Sequence, residues 1–234
     1  EQYFLQIDSH SRFIKGWDTR LKNMYNKCDS KKSILTHYPP SHSQYDKILE
    51  NKVKPSHTCK AHFENNFHII SGAHSLKSHV DKPFITSYVS AGLLFGNAQF
   101  LKEVPFDPYL PYMFQGEEIL LSARLWTNGW DLYNLSEPVV THYYEREKDE
   151  QPHFWEDHDP KRWEEIQTES NKRYYYILKE FTKKQVDPLF LTHVKDYGIG
   201  NTRSLKDWFN FTGINMKNHT VEDHCSKKYN KITK

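Results

Sequence analysis

Three absences narrow the sequence before any motif is read. No run approaches the roughly 18 consecutive apolar residues of a membrane span, and no signal-peptide pattern opens the chain. Basic and acidic residues nearly cancel, 32 against 30 for a net charge of +2, so the strong field of a nucleic-acid binder is missing. Cysteine is scarce and odd in number: Cys28, Cys59 and Cys225. That argues against a disulfide framework and favours a reducing compartment, the cytoplasm first. Three sequons, at Asn134, Asn210 and Asn218, pull toward the secretory pathway, although such tripeptides arise often by chance in an Asn-rich chain. There is no internal repeat and no low-complexity linker, and nothing in the sequence speaks to oligomeric state.

What is abundant is aromatic mass. Aromatic residues make up 15% of 234 residues and charged ones 26%, the profile of a globular chain with ample room for a core. Tyr3-Phe4-Leu5-Gln6-Ile7 reads as a buried strand that ends at Asp8. Trp17, Leu21, Met24 and Cys28 share one face of a helix over 17–28. A strand over 33–38 stops at Pro39-Pro40. Residues 40–82 are polar and His-rich, and read as a solvated insertion; within it, Cys59-x-x-His62 is half a zinc motif with no second half at a usual spacing.

Strand patterns return over 83–89 and 90–96. From Gly116 the period becomes 3.6: Ile119, Ala123 and Trp126 share a face, Glu117 and Glu118 suit the first turn, and Asn128-Gly129 supplies a stop. Residues 130–133 and 139–144 read as strands. Residues 145–160 form a charged loop with an aromatic tip, Phe154 and Trp155. A second long helix is predicted over 161–181, and a helical tail from Tyr197. Strands interleaved with helices give an α/β domain.

Three features bear on chemistry. In Asp8-Ser9-His10, residues i and i+2 at a strand end project to one side, so a carboxylate and an imidazole can reach one cation; a capping Asp followed by a surface His is spelled the same way. His142 closes a second apolar strand, Val139-Val140-Thr141. Ligands gather outside the carboxyl ends of strands in α/β sheets, so the two sites can converge, and one carboxylate with two imidazoles suits Mn²⁺, Fe²⁺ or Zn²⁺ better than Mg²⁺ or Ca²⁺. The third feature is Gly116-Glu117-Glu118 at the start of the strongest helix. Acids there favour the dipole, and a carboxylate so placed can also accept hydrogen bonds from sugar hydroxyls or handle an acceptor proton.

The ordered blocks Gly92-Leu93-Leu94-Phe95, EVPFDPYLPYMFQGEEILLSARLWTNGWDLY and Pro138-Val-Val-Thr-His142, with Gln6-Ile7-Asp8-Ser9-His10 ahead of them, resemble glycosyltransferase family 60, polypeptide N-acetylglucosaminyltransferases of the Skp1-hydroxyproline type. Tyr197-Gly-Ile-Gly and Phe211-Thr-Gly-Ile are similar to that family's C-terminal signature. More distantly, QGEEILLSARLW is similar to a block of the mucin-type polypeptide N-acetylgalactosaminyltransferases. The resemblance implies a GT-A-type fold, a Rossmann-like mixed sheet flanked by helices. It implies transfer of N-acetylglucosamine from UDP-GlcNAc to a Ser, Thr or hydroxyproline hydroxyl, with retention and with Mn²⁺ or another divalent cation. By it, Asp8, His10 and His142 bind the metal, and Gly92, Leu93, Gly116, Glu117 and Arg146 meet the donor. Glu117 and Glu118 are the catalytic carboxylates, and Phe154 and Trp155 belong to a lid.

On this reading residues 1–160 hold the metal and donor-sugar portion, with the insertion at 40–82 and the lid at 145–160, and 161–234 form a helical segment packed on the same domain. In such folds a first βαβ portion precedes the D-x-H motif, whereas seven residues precede Asp8 here, so that portion is expected to be lacking. Other readings stay open: another UDP-sugar, a glycan acceptor, a metal-dependent hydrolase using Asp8, His10 and His142, or a degenerate domain that binds glycan or protein.

Overall fold

A mixed sheet of five strands carries the fold of this computed structural model, which describes residues 1–64, 68–144 and 159–224. In chain order the strands are β1 (Tyr3–Ile7), β2 (Ser11–Phe13), β3 (Ser33–Thr36), β4 (Ser56–Glu64), β5 (His68–Ser75), β6 (Phe84–Ile85), β7 (Leu93–Asn97), β8 (Asp131–Asn134), β9 (Val140–His142), β10 (Ile214–Asn215) and β11 (Thr220–Val221). The main sheet runs β1-β7-β3-β8-β6. Only β3 and β8 are parallel; β7 runs antiparallel to both of its neighbours, and β6 to β8. Central β3 is buried along its whole length, with Ile34 and Leu35 at 0% exposure, and each such side chain stabilises the fold by roughly 1.5–3 kcal/mol. Strand β1, predicted as buried, is instead a half-buried edge. The pairing of Ile7 with Leu93 brings the carboxyl end of β1 against the start of β7.

Several elements differ from the sequence-based expectation. The 40–82 segment is not a solvated insertion: β4 and β5 form a hairpin in which His57, Thr58, Cys59 and Ile69 are buried. Its polar residues are buried because they are bonded. The Asn134 carboxamide oxygen accepts from Thr58 N (2.8 Å), and its Nδ2 donates to Thr36 O and Thr58 Oγ1 (3.0 Å each), knotting β3, β4 and β8. Paired polar groups lose the burial penalty that hydropathy assigns them. Cys59 is disulfide-bonded, against the pattern expected from three cysteines, while Cys28 is free. The strands predicted over 83–89 and 90–96 shrink to β6 and β7, with irregular chain between them.

The helix Trp17–Asn26 buries Leu21 and Met24, as its period predicts. The helix Glu117–Thr127 starts at Gly116, whose φ of +92° suits glycine, and stops before Gly129 at φ +85°. Pro160–Ile177 forms the second long helix, with Asp159 as N-cap accepting from Lys161 N. The C-terminal part is less helical than predicted, with the helix Leu205–Thr212 followed by the β10–β11 hairpin. Tyr174, Tyr175 and Trp208 join Ile119, Leu120 and Ala123 of the Glu117–Thr127 helix in one core. No helix among the described residues is long and apolar enough to cross a membrane.

Arg173 locks this core to the loop ahead of Gly116. Its Nε and Nη2 donate to the two Asp107 carboxylate oxygens (2.8 and 3.2 Å), and its Nη1 to Phe190 O and Thr192 O (2.5 and 3.0 Å). Both side chains of the ion pair are 0% exposed. Removing one partner strands a buried charge. Arg173→Met is therefore expected to lower the unfolding free energy by about 3–5 kcal/mol, whereas the double change with Asp107→Leu is expected to cost less than Arg173→Met alone; urea unfolding of both variants measures it.

Candidate active site

Strand ends bring the site together. Asp8 follows β1, and Gly92 precedes its antiparallel neighbour β7. A Cβ on Gly92 would lie 2.7 Å from Pro39 Cδ and 3.3 Å from Asp8 Oδ2, so a side chain is excluded where the two segments meet. The short β2–β9 pair sets Ser11 opposite His142, and Tyr143 N donates to His10 O (3.0 Å) while His142 N donates to Pro40 O (3.0 Å). The D-x-H motif, the di-proline turn and the end of β9 thus converge through main-chain bonds.

The side chains follow. His142 Nε2 lies 3.7 Å from Asp8 Oδ2. The His10 ring stands edge-on to His142 at 6.2 Å between centroids, and its Nδ1 lies 3.0 Å from Ser9 Oγ. Asp8 and His142 therefore meet directly, with His10 as their neighbour. The mixed carboxylate–imidazole donors fit a first-row divalent ion in kind. Tyr144, which the sequence did not single out, covers them: its ring is 4.4 Å from that of His142, and its hydroxyl donates to Pro39 O (2.8 Å). Burial, then the charges of Asp8 and Glu118, push the Tyr144 hydroxyl up to about 12.

The two glutamates at the helix start have different surroundings. Glu118 is fully engaged: Oε2 accepts from Tyr38 OH (2.6 Å) and from Ser71 Oγ, and Oε1 accepts from Ala91 N (2.7 Å). It joins the chain after β3, the β5 hairpin and the loop before β7. Glu117, together with Glu118, lines a cavity of about 220 Å³ shared with Gln6, Ala91, Asp107, Met113 and Arg124. Burial, then the Glu118 charge, then Asp8, push its carboxyl up to about 7, against the backbone N–H groups of Glu118 and Glu117. A carboxyl that exchanges a proton near neutrality can donate or accept a hydrogen bond to a hydroxyl.

The remaining predicted positions divide. Gly116 serves as the left-handed N-cap, and its Cβ position is crowded by Met113 Cε at 3.0 Å. The Leu93 side chain is fully buried in the core with Leu35 and Phe95. Arg146, Phe154 and Trp155 lie outside the described residues. Sequence reasoning passed over Tyr38, Ser71, Ala91 and Tyr144. The signal for Tyr38 was its place between the end of β3 and Pro39-Pro40, the same side of the sheet as Asp8.

Comparison with known proteins points the same way. A family model described as glycosyltransferase (GlcNAc) matches residues 1–218. A solved structure of GalNAc-T7 with UDP, GalNAc and Mn²⁺ superposes over 94% of this chain and 42% of that one, at 14% identity and a TM-score of 0.52. That likeness shows the fold, a GT-A type, and the chain spans less than half of the length of that protein. No curated protein sequence matches.

Glu117 makes stability pH-dependent in a stated direction. Its folded pKa of about 7 exceeds the ordinary 4.5, so between those values the folded state holds more protons than the unfolded state, and stability falls as pH rises. His37, pushed down from 6.5 to about 4 by burial, gives the opposite slope between those two values, so the Glu117 contribution is read as a difference. Relative to the parent in chelator, Glu117→Gln is expected to gain about 2–3 kcal/mol between pH 4.5 and 7.5, measured by urea unfolding across that range.

Proposed function

Because the chain belongs to the glycosyltransferase (GlcNAc) family, we propose that it is a retaining transferase that moves N-acetylglucosamine from UDP-GlcNAc to a Ser, Thr or hydroxyproline hydroxyl of a protein, with Mn²⁺ as cofactor. The observation that carries this reading is the meeting of Asp8 and His142 at 3.7 Å on the side of the sheet where Glu117 is pushed up to about 7, in part by Asp8. An oxygen and nitrogen donor set next to a proton-exchanging carboxyl is what a sugar nucleotide asks of a site.

In this reading Asp8, His10 and His142 hold the ion, and a bound divalent ion supplies charge stabilisation for the departing diphosphate. Arg146 adds a bidentate clamp on the same group. Glu117, lining the cavity with Gln6 and Ala91, holds hydroxyls of the donor sugar. Glu118 acts through others: its bonds to Ala91 N and Tyr38 fix the walls, and its charge tunes Glu117. Gly92 keeps the approach to Asp8 open. Phe154 and Trp155 close over the acceptor and exclude water. The acceptor proton passes to the leaving phosphate oxygen, with no protein nucleophile.

The test is UDP release from a panel of UDP-sugars with Mn²⁺ and hydroxyl-bearing peptides, with the product followed by mass. UDP-GlcNAc is expected as the preferred donor. Asp8→Ala and His142→Ala are expected to slow release at least about 100-fold, and Glu117→Gln by roughly 10²-fold. Rates unchanged in all three variants overturn the assignment, as does metal-dependent phosphate-ester hydrolysis without any sugar donor.

A further inference from the structure

The β4–β5 hairpin gathers a second set of metal-ligating groups. His57 and His74 face each other as a cross-strand pair, with ring centroids 6.4 Å apart. The register slips between His57 and Lys60, so that Thr58 and Cys59 share the place opposite Ala73. A bulge of this kind re-aims a side chain, and here a sulfur joins the imidazoles. Ligand atoms of His57, Cys59 and His74 all lie within 4.8 Å of one another, with His57 and Cys59 buried and His74 half-buried. Metal bonds of about 2.0–2.3 Å place tetrahedral donors roughly 3.5 Å apart, so modest side-chain rotations close the gap. No other group of three His, Cys, Asp or Glu among the described residues comes this close.

The chemistry of the set is specific. Two nitrogens and one sulfur in a buried site are soft, close-packed ligands that suit Zn²⁺ and disfavour the oxygen-seeking ions. The sulfur also imposes a condition. Cys59 is disulfide-bonded, and a metal takes a thiolate.

We propose that opening this disulfide unmasks a structural zinc site formed by His57, Cys59 and His74, so that the hairpin is held by a disulfide under oxidising conditions and by Zn²⁺ under reducing ones. A dithiol supplies the two electrons: one of its thiolates attacks the disulfide and expels one cysteine, its second sulfur then closes the dithiol into its own disulfide and expels the other, so Cys59 and its partner cysteine both leave as thiols. Zinc binding then releases the Cys59 proton to solvent as the S–Zn bond forms. The site is separate from Asp8 and His142 and does not depend on the transferase reading. It bears on the same hairpin, because Ser71 of β5 is one of the three donors to Glu118.

Cobalt titration of the full chain tests this, because a thiolate–cobalt charge-transfer band in the near ultraviolet cannot arise from a carboxylate–imidazole set. The chain reduced with a dithiol, then freed of it without air, is expected to develop the band to one equivalent of Co²⁺ and to lose it on adding Zn²⁺. The oxidised chain is expected to give none. Cys59→Ser abolishes the band. His74→Asn, which leaves the disulfide intact before reduction, weakens cobalt binding more than about tenfold, the loss that even an outer partner causes. Asp8→Ala leaves the band unchanged. Far-ultraviolet circular dichroism checks that each form is folded. A folded, reduced chain without the band, a band that persists in Cys59→Ser, or a band in the oxidised chain overturns the proposal.

Discussion

The Glu118 carboxylate is the junction on which the site depends. It accepts hydrogen bonds from Tyr38, Ser71 and Ala91, three residues from three separate chain segments. Bonds to an ionised acceptor are about twice as strong as neutral ones. Each bond fixes a different wall. Tyr38 sets the chain that turns at Pro39 and Pro40, whose carbonyls receive Tyr144 and His142. Ser71 ties down the hairpin, and Ala91 sets the bend that brings Gly92 against Asp8. The Glu118 charge also lifts Glu117. Pre-organisation and acid–base tuning thus meet in one side chain that itself lines the cavity.

The same economy links the site to the C-terminal part. Asp107 lines the cavity beside Glu117 and is gripped by Arg173 from the Pro160–Ile177 helix. Arg124, from the Glu117–Thr127 helix, lines the cavity too, and donates to Pro105 O (2.6 Å) and Gly198 O (3.4 Å). Burial lowers its guanidinium to about 10. Two buried arginines therefore staple the loop that forms the cavity wall to helices on either side, so the C-terminal residues act on the cavity without lining it.

What the sequence disclosed was whatever obeys a periodic or terminal rule. The 3.6 period after Gly116 and the stop at Asn128-Gly129 mark a helix that forms as read. The D-x-H motif and His142 both fall at strand ends, and that position alone was enough to bring them together. The hairpin was illegible because most of its buried residues, His57, Thr58 and Ser71 among them, are ones that hydropathy scores as surface. Their burial is licensed by partners far along the chain, such as Asn134, 76 residues from Thr58. Glu118 was half-read for the same reason: its charge suited a helix start, but its three donors are tertiary. The bonded state of Cys59 is likewise a fact of folding that a count of three cysteines does not contain.

Asn134 carries a consequence for how the chain is made. It belongs to a sequon, Asn134-Leu-Ser, yet its side chain is fully buried and its Nδ2 uses both hydrogens, on Thr36 O and Thr58 Oγ1. An oligosaccharide on that nitrogen removes one hydrogen and places a bulky polar group where β3, β4 and β8 meet. Folding and modification at this position are therefore mutually exclusive, and order in time decides between them. A chain that folds before an oligosaccharyltransferase reaches it is proof against the sugar, whereas a chain modified as it emerges loses the knot at the centre of its sheet. In a secretory expression host, the yield of native protein becomes a race between the two, and Ser136→Ala, which erases the acceptor while sparing Asn134, removes one of the runners.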